Sequence, residues 1–253
     1  MLAGLLEFAP GGVEQVDGDG FVEYAVYGTP GELPSLPEGE AQVSGLKVNV
    51  SGREVPDDWH ERWKRFHEPV LVGERLYVRA PWEERSGRPG VEEIVIDPGR
   101  AFGTGTHPTT RLCLELMVDL EPGGSLADLG CGSGVLAIAA ARLGFSPVTA
   151  LDSDPAALEA TRENARANGV SLDRVERLDL GMAAPPTADN VTANLMLALL
   201  VRLPELWQKP PGVLVASGLL DREADEAAAA FAPMVERRRL SRGGWTALRL
   251  TAG

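Results

Sequence analysis

The chain has few cysteines, histidines and aromatic residues, no long apolar run, and few cations for its size. Two cysteines, Cys113 and Cys131, in 253 residues cannot build a disulfide framework, and they point to a reducing cytoplasm. Three histidines, at positions 60, 67 and 107, do not suggest a structural zinc site even together with those thiols, and no metal is expected. No stretch approaches the ~20 apolar residues needed to cross a bilayer. The first ten residues have no basic start, and their apolar run is too short for a secretion signal. Lys plus Arg total 24 against 37 for Asp plus Glu, a formal charge of −13. A large nucleic-acid footprint needs clustered cations to neutralise phosphates, so this balance argues against one. A negative field would speed the encounter with a basic protein or suit a small molecule, but many acidic proteins have neither partner. The remaining composition, 44% hydrophobic and 24% charged, is that of an ordinary globular chain long enough for one large or two unequal domains.

The most informative stretch is Leu126-Ala-Asp-Leu-Gly-Cys-Gly-Ser-Gly-Val135, followed one helix later by Val148-Thr-Ala-Leu-Asp152. It reads as strand, glycine-rich turn, helix and second strand ending in an acid. Gly130, Gly132 and Gly134 leave no side chains where the backbone bends and meets a ligand. The following helix offers free N–H groups and a partial positive end. Asp152 stands where an acid can accept hydrogen bonds from both hydroxyls of a ribose. A dinucleotide site wants G-x-G-x-x-G, but here the spacing is D-x-G-x-G-x-G, with Asp128 two residues before the first glycine. A carboxylate there would repel a pyrophosphate and suit an ammonium group. The pattern, with an acid 22 residues after the first glycine, resembles motif one of the class I S-adenosylmethionine-dependent methyltransferases. Cys131 within this loop reads as a small space-filler.

From Ser125 onward strands and helices alternate with short connections, the signal for a parallel sheet. Strands are predicted near 125–130, 148–153, 175–180, 190–195 and 212–218, and helices near 134–144, 155–168, 196–207 and 221–232. Pro155, with Asp154 before it as cap, starts the second helix and Gly169 ends it. The segments 235–242 and 245–251 flank Gly243-Gly244 and read as a hairpin. A parallel sheet closed by one antiparallel hairpin resembles the methyltransferase fold more than a dehydrogenase. Residues 1–56 are rich in glycine and proline, with strand-like pieces at 21–27 and 42–50 and a turn at Asp17-Gly-Asp-Gly20. In 57–68, Trp59, Trp63 and Phe66 fall at helical spacing on one face, the packing stripe of a linker helix.

Two further stretches bear on the reaction. Ile96-Asp-Pro-Gly-Arg-Ala-Phe-Gly-Thr-Gly-Thr-His-Pro-Thr-Thr110 leads into a helix from Arg111. Loops of this composition fold over ligands and offer backbone N–H and hydroxyl groups. The plainer alternative is a solvated turn with Thr109 or Thr110 capping the helix. Val191-Thr-Ala-Asn-Leu-Met-Leu197 ends the fourth strand, beside the topological switch point. Asn194 there can accept a hydrogen bond from an amine, or simply cap the next helix. Its Ala-Asn-Leu-Met departs from the Asn- or Asp-Pro-Pro-Tyr motif of many amino-methylating enzymes, which counts against adenine-base and glutamine-amide methylation.

The loop Ala101–Thr110, the run Asp128–Ala139, Ala193-Asn-Leu195 and the connector Asp58-Trp-His-Glu-Arg-Trp-Lys64 together resemble the ribosomal protein L11 methyltransferase family, over about 57–253. The resemblance implies an α/β, Rossmann-like class I methyltransferase, with a mostly parallel seven-stranded sheet and a C-terminal antiparallel hairpin. It places that domain at 69–253, behind a small α+β substrate-recognition domain at 1–56 and the linker helix. It implies S-adenosylmethionine as cofactor and lysine or N-terminal amino groups of ribosomal protein L11 as acceptor, in a monomer acting in the cytoplasm without nucleic acid or membrane. By the same resemblance Asn194, Thr106 and His107 would act at the amine, with His107 a candidate proton relay. Phe102, Gly103, Thr104, Thr109, Thr110, Asp128, Gly130, Gly132, Asp152, Ser153, Asp179, Leu180 and Asn194 would surround the cofactor. Asp128 would face its ammonium, Asp152 would hold its ribose, and Asp179 and Leu180 would border its adenine. The alternative keeps fold and cofactor but changes the acceptor to another protein lysine or a small amine. An adenosine binder without activity, or a nicotinamide oxidoreductase, is a further alternative.

Overall fold

The computed structural model describes residues 14–18, 21–25, 39–43, 46–50, 68–98, 103, 105 and 107–253. The chain divides into two compact units, Met1–Trp59 and His60–Gly253. In the first, β1 (Glu14–Gly18) pairs antiparallel with β2 (Phe21–Ala25), and β3 (Gly39–Val43) with β4 (Leu46–Val50). The single strand expected over 42–50 therefore takes in the end of one hairpin arm, β3, and the whole of the other, β4. The linker helix expected over 57–68, with its aromatic stripe, lies outside the described residues except for Glu68.

The second unit opens with a three-stranded sheet that the sequence reading did not anticipate: β5 (Val70–Val72), β6 (Leu76–Arg79) and β7 (Glu92–Val95). β5 and β6 form a hairpin and β7 lies parallel to β6. In the three-residue connection 73–75, Gly73 and Glu74 both take φ of +53°, as the central pair of a type I′ turn requires. Helix α1 (Pro108–Met117) follows, then the main sheet and its helices. These are β8 (Leu126–Leu129), α2 (Val135–Leu143), β9 (Val148–Asp152), α3 (Pro155–Ala167), β10 (Arg174–Arg177), β11 (Asn190–Asn194), α4 (Leu197–Leu200), α5 (Leu203–Leu206), β12 (Val213–Leu220), α6 (Ala224–Ala230), β13 (Val235–Arg242) and β14 (Trp245–Thr251).

Across the sheet the order is β10-β9-β8-β11-β12-β14-β13. The first five are mutually parallel, and β14 runs antiparallel to both β12 and β13. The order reverses between β8 and β11, which leaves a crevice beyond their carboxyl ends. All four residues of β8 are buried, as expected of a central strand with helices on both faces. Side chains alternate between two cores: Leu126 joins the one beneath α1 and α2, whereas Ala127 and Leu129 join the one that includes Leu200, Leu203 and Phe231.

Local chemistry accounts for the helix ends. Asp154 caps α3 by accepting from Ala156 N at 2.8 Å, with Pro155 next as the first helical residue. α1 begins at Pro108, three residues before its expected start, and its cap is His107, not Thr109 or Thr110. The helix expected over 196–207 is two single turns, because Pro204 has no N–H to give the carbonyl of Leu200 and its ring would strike it. Asp221–Glu223 is a 3₁₀ turn leading into α6. The small sheet is tied to α3 by two amides. Asn168 exchanges hydrogen bonds with Val95 N and O, both 2.7 Å, and Asn164 accepts from Asp97 N at 3.0 Å.

Candidate active site

Where β8 ends, the chain turns through Gly130-Cys-Gly-Ser-Gly134 into α2. Gly130 takes φ +73°, which favours glycine, and a Cβ there would lie 2.5 Å from Leu195 Cδ2 and press that side chain aside. Asp152 closes β9. Its Oδ2 accepts from Gly132 N at 3.0 Å and its Oδ1 from Asp154 N at 2.9 Å, so the carboxylate holds the turn against the second strand. A carboxylate has about four lone-pair sites, which leaves acceptor capacity on both oxygens.

These elements enclose a cleft of about 220 Å³. Six residues expected from the sequence line it: Gly130, Gly132, Asp152, Ser153, Asp179 and Leu180. Leu151, Leu178, Leu195 and Leu199 supply apolar walls that the sequence reading did not name. Asp179 folds back to accept from Gly181 N at 2.8 Å, and Ser153 O accepts from Arg177 Nε at 3.0 Å.

A second group of predicted residues lies at the end of β11. Asn194 Nδ2 donates to Thr109 Oγ1 at 3.2 Å and to Thr110 Oγ1 at 3.4 Å. Thr109 Oγ1 is 2.8 Å from His107 Nδ1, which also accepts from Thr109 N at 3.3 Å. The His107 ring stands edge-on to Trp245, with centroids 5.4 Å apart, and burial holds its pKa below the usual imidazole value. The four side chains Asn194, Thr109, Thr110 and His107 form a short network of hydrogen bonds in which the amide nitrogen of Asn194 is committed to the threonines. The amide oxygen is then the end that can receive a proton donor. Gly103 is anchored to the glycine turn by Ser133 Oγ, which donates to its carbonyl at 2.5 Å. Phe102, Thr104 and Thr106 lie outside the described residues.

Asp128 departs from expectation. It is fully buried on the α2 side of the sheet and does not line the cleft. Its Oδ1 accepts from Thr192 Oγ1 at 2.7 Å and its Oδ2 from Ala137 N at 3.2 Å, so it pins α2 and β11 to the central strand. Alternation along β8 explains the direction: Asp128 shares the face of Leu126. Burial pushes its carboxyl up to about 7, against the pull of those two hydrogen bonds. Cys131 is buried with Sγ 3.3 Å from Thr161 Oγ1 and a thiol pushed up to about 12 by burial, an inert filler as expected.

Gly218, in the middle of β12, was also missed. At φ +87° a Cβ would fall 2.3 Å from Leu195 O and 2.8 Å from its carbonyl carbon. Leu195 N in turn donates to Ser217 O at 3.0 Å, so the Asn194–Leu195 corner rests directly on this glycine. A glycine inside a strand pattern signals such a close backbone approach.

A seven-stranded sheet in this order, one reversed strand inserted next to its edge and a glycine turn facing an acid across the crevice define the class I Rossmann-like methyltransferase fold. The structure of the Pyrococcus abyssi tRNA (uracil-54, C5)-methyltransferase in complex with S-adenosyl-L-homocysteine has the same fold: TM-score 0.50 at 17% identity, covering 70% of this chain and 56% of that one. The crystal structure of the ribosomal protein L11 methylase from Lactobacillus delbrueckii subsp. bulgaricus aligns with TM-score 0.64 and 26% identity, over 74% of this chain and 99% of that one. The family model described as ribosomal protein L11 methyltransferase (PrmA) matches residues 35–252, and the chain belongs to that family. The ribosomal protein L11 methyltransferase of Caldanaerobacter subterraneus subsp. tengcongensis is 41% identical over 189 residues. That match takes in 73% of this chain and 60% of the relative, so the chain spans less than two thirds of that relative's length.

Proposed function

We propose that the protein transfers methyl groups from S-adenosylmethionine to lysine or N-terminal amino groups of ribosomal protein L11. The observation that carries this reading is the cleft between the glycine turn and Asp152, with Asn194 at the adjoining strand end. The donor set suits the cofactor: leucine walls for a purine, a carboxylate with spare acceptor capacity for ribose hydroxyls, and a turn stripped of side chains beside them. At about 220 Å³ the cleft is below the ~300 Å³ at which whole-ligand pockets begin, a size for the nucleoside portion. When bound, the cofactor supplies a sulfonium methyl, to which an acceptor nitrogen adds in line as the carbon–sulfur bond breaks and the thioether leaves.

The chain's own task is to present that nitrogen neutral and aligned. A lysine of pKa ~10.4 costs about 4–5 kcal/mol to deprotonate at neutral pH. Desolvation beside a cation lowers that cost, and the proton departs to water before attack. Asn194 Oδ1, its orientation fixed by the two threonines, accepts an N–H of the amine and aims the lone pair. His107 Nδ1 is already bonded to Thr109, so its role lies in holding Thr109 and the helix start in place. Orientation of this kind supplies on the order of 7–11 kcal/mol in well-aligned reactions.

The domain assignment belongs to the same proposal. Residues 1–56 recognise the acceptor, 57–68 connect, and 69–253 carry out the transfer. The net charge of −13 favours encounter with a basic protein. The enzyme works as a cytoplasmic monomer without nucleic acid; no described helix is long and apolar enough to cross a membrane. The test is incubation of the full chain with recombinant L11 and methyl-labelled cofactor, followed by mass spectrometry. Label on L11 amino groups is expected. Label appearing on another protein of a methyl-deficient lysate, with L11 unmodified, would replace the acceptor while keeping cofactor and fold.

A further inference from the structure

A second cavity is larger than the nucleoside cleft. It is a recess of about 370 Å³ in the second unit, between the β6–β7 connection and the ends of α2 and α3. Arg79, Arg85, Arg88 and Arg142 all line it, with Glu93 as the one acid in its wall. Four arginines against one acid stand in contrast to the net charge of −13 of the whole chain.

The recess is built, not incidental. Arg79 is 8% exposed, and its guanidinium donates to the carbonyls of Ala80 and Glu83 at 3.2 and 3.1 Å and meets Glu93 at 3.3 Å. Glu93 Oε1 also accepts from Ser86 N at 2.8 Å, and Ser86 Oγ accepts from Arg88 N at 3.2 Å. The connection between β6 and β7 is thereby pinned to the strand beneath it. Arg142 Nη2 covers the carbonyl of Asn168 at 2.6 Å, which masks the negative end of α3 that would otherwise repel an anion. Glu93 is occupied by Arg79, whereas Arg85 and Arg88 are exposed and have no ion-pair partner among the described residues. Two uncommitted guanidiniums face a concave wall whose only carboxylate is already neutralised.

We infer that this recess binds a small phosphorylated molecule, seated between Arg85 and Arg88 with Arg142 at its floor. Planar guanidiniums pair with phosphate oxygens two hydrogen bonds at a time, and a pyrophosphate-sized group offers enough oxygens to engage more than one. The limited size of the recess and the net negative charge of the chain favour a small anion over a long polyanion, which needs a run of cations to neutralise its successive phosphates. The recess lies at the C-terminal ends of α2 and α3, whereas the glycine turn and Asp152 stand at their N-terminal ends, so its occupancy stands apart from the proposed methyl transfer.

Titration calorimetry of the full chain with inorganic pyrophosphate at fixed ionic strength tests the inference, with sodium sulfate and a short single-stranded RNA as separate arms. Saturable one-to-one pyrophosphate binding is expected. The double variant R85S/R88S, changed only at exposed side chains, should weaken it by about tenfold or more while S-adenosylhomocysteine binding stays as in the unmodified protein. Absence of saturable pyrophosphate binding, or equal binding by the variant, would overturn the inference. So would RNA binding that is tighter than pyrophosphate, steeply salt-dependent and lost in the variant, since the recess would then belong to a nucleic-acid surface.

Discussion

Replacing Gly218 by alanine should damage catalysis, and because Leu195 lines the nucleoside cleft it should weaken cofactor binding as well. The new Cβ would sit 2.3 Å from Leu195 O, and a tolerable carbon–oxygen contact is about 3.3 Å. The obstructing atoms are backbone, so no rotamer change relieves the overlap, and the Leu195 peptide has to retreat by about 1 Å. Asn194 is the neighbouring residue and moves with it, out of register with Thr109 and Thr110. Misplacement of that size costs on the order of 10²-fold in rate. The positive φ adds about 1–3 kcal/mol of backbone strain in the folded state. Gly243 supplies the control: it also has a positive φ, +57°, but nothing lies within 4 Å of its would-be Cβ. G243A should therefore lower the unfolding temperature through strain while leaving kcat/KM alone. The assay is methylation of L11 at saturating cofactor, with calorimetry of S-adenosylhomocysteine binding alongside. Near-normal kcat/KM in G218A, or losses of equal size in both variants, would refute the claim that Gly218 positions Asn194.

Three other outcomes follow from the same geometry. Burial holds Asp128 protonated in the fold up to about pH 7, whereas the unfolded chain releases its proton near pH 3.8, so the native state binds the extra proton and stability falls as pH rises between those values. D128N cannot titrate; relative to the unmodified protein it should gain about 3 kcal/mol between pH 5 and pH 8 in denaturant unfolding, and parallel stability curves would contradict the assignment. D152A removes the acceptor for Gly132 N and Asp154 N together with the ribose contacts, and should weaken S-adenosylhomocysteine binding by about tenfold or more, measured calorimetrically. N194A should bind that ligand within a few-fold of normal yet lose on the order of 10²-fold in kcat/KM, and unchanged turnover would remove Asn194 from the reaction.

The central strands were legible because each is an apolar run bounded by glycine, proline or an acid. The run expected at 148–153 is Val148–Asp152, and that at 190–195 is Asn190–Asn194. The β5–β7 sheet was not, since its strands are three or four residues long and sit among charges and prolines that read as loop. Pro204 carried the signal that splits 196–207 and Gly218 the signal of a close approach, but both are weak beside the surrounding leucines and valines. Asp128 shows a different limit. Its residue type and spacing suit an ammonium contact, but which side of the sheet it faces is decided by where α2 packs. Thr192, which holds it, has no sequence mark at all. The Asn194–Thr109–His107 chain likewise joins positions some 85 residues apart that only the crossing of α1 over the end of β11 brings together.

The most direct measurement is a crystal structure of the full chain with S-adenosylhomocysteine. The ribose hydroxyls are expected on Asp152, the purine against Leu180 and the thioether sulfur directed toward Asn194. A nucleoside bound away from the glycine turn, or a cleft still filled by Leu195 and Leu199 at saturating ligand, would contradict that placement.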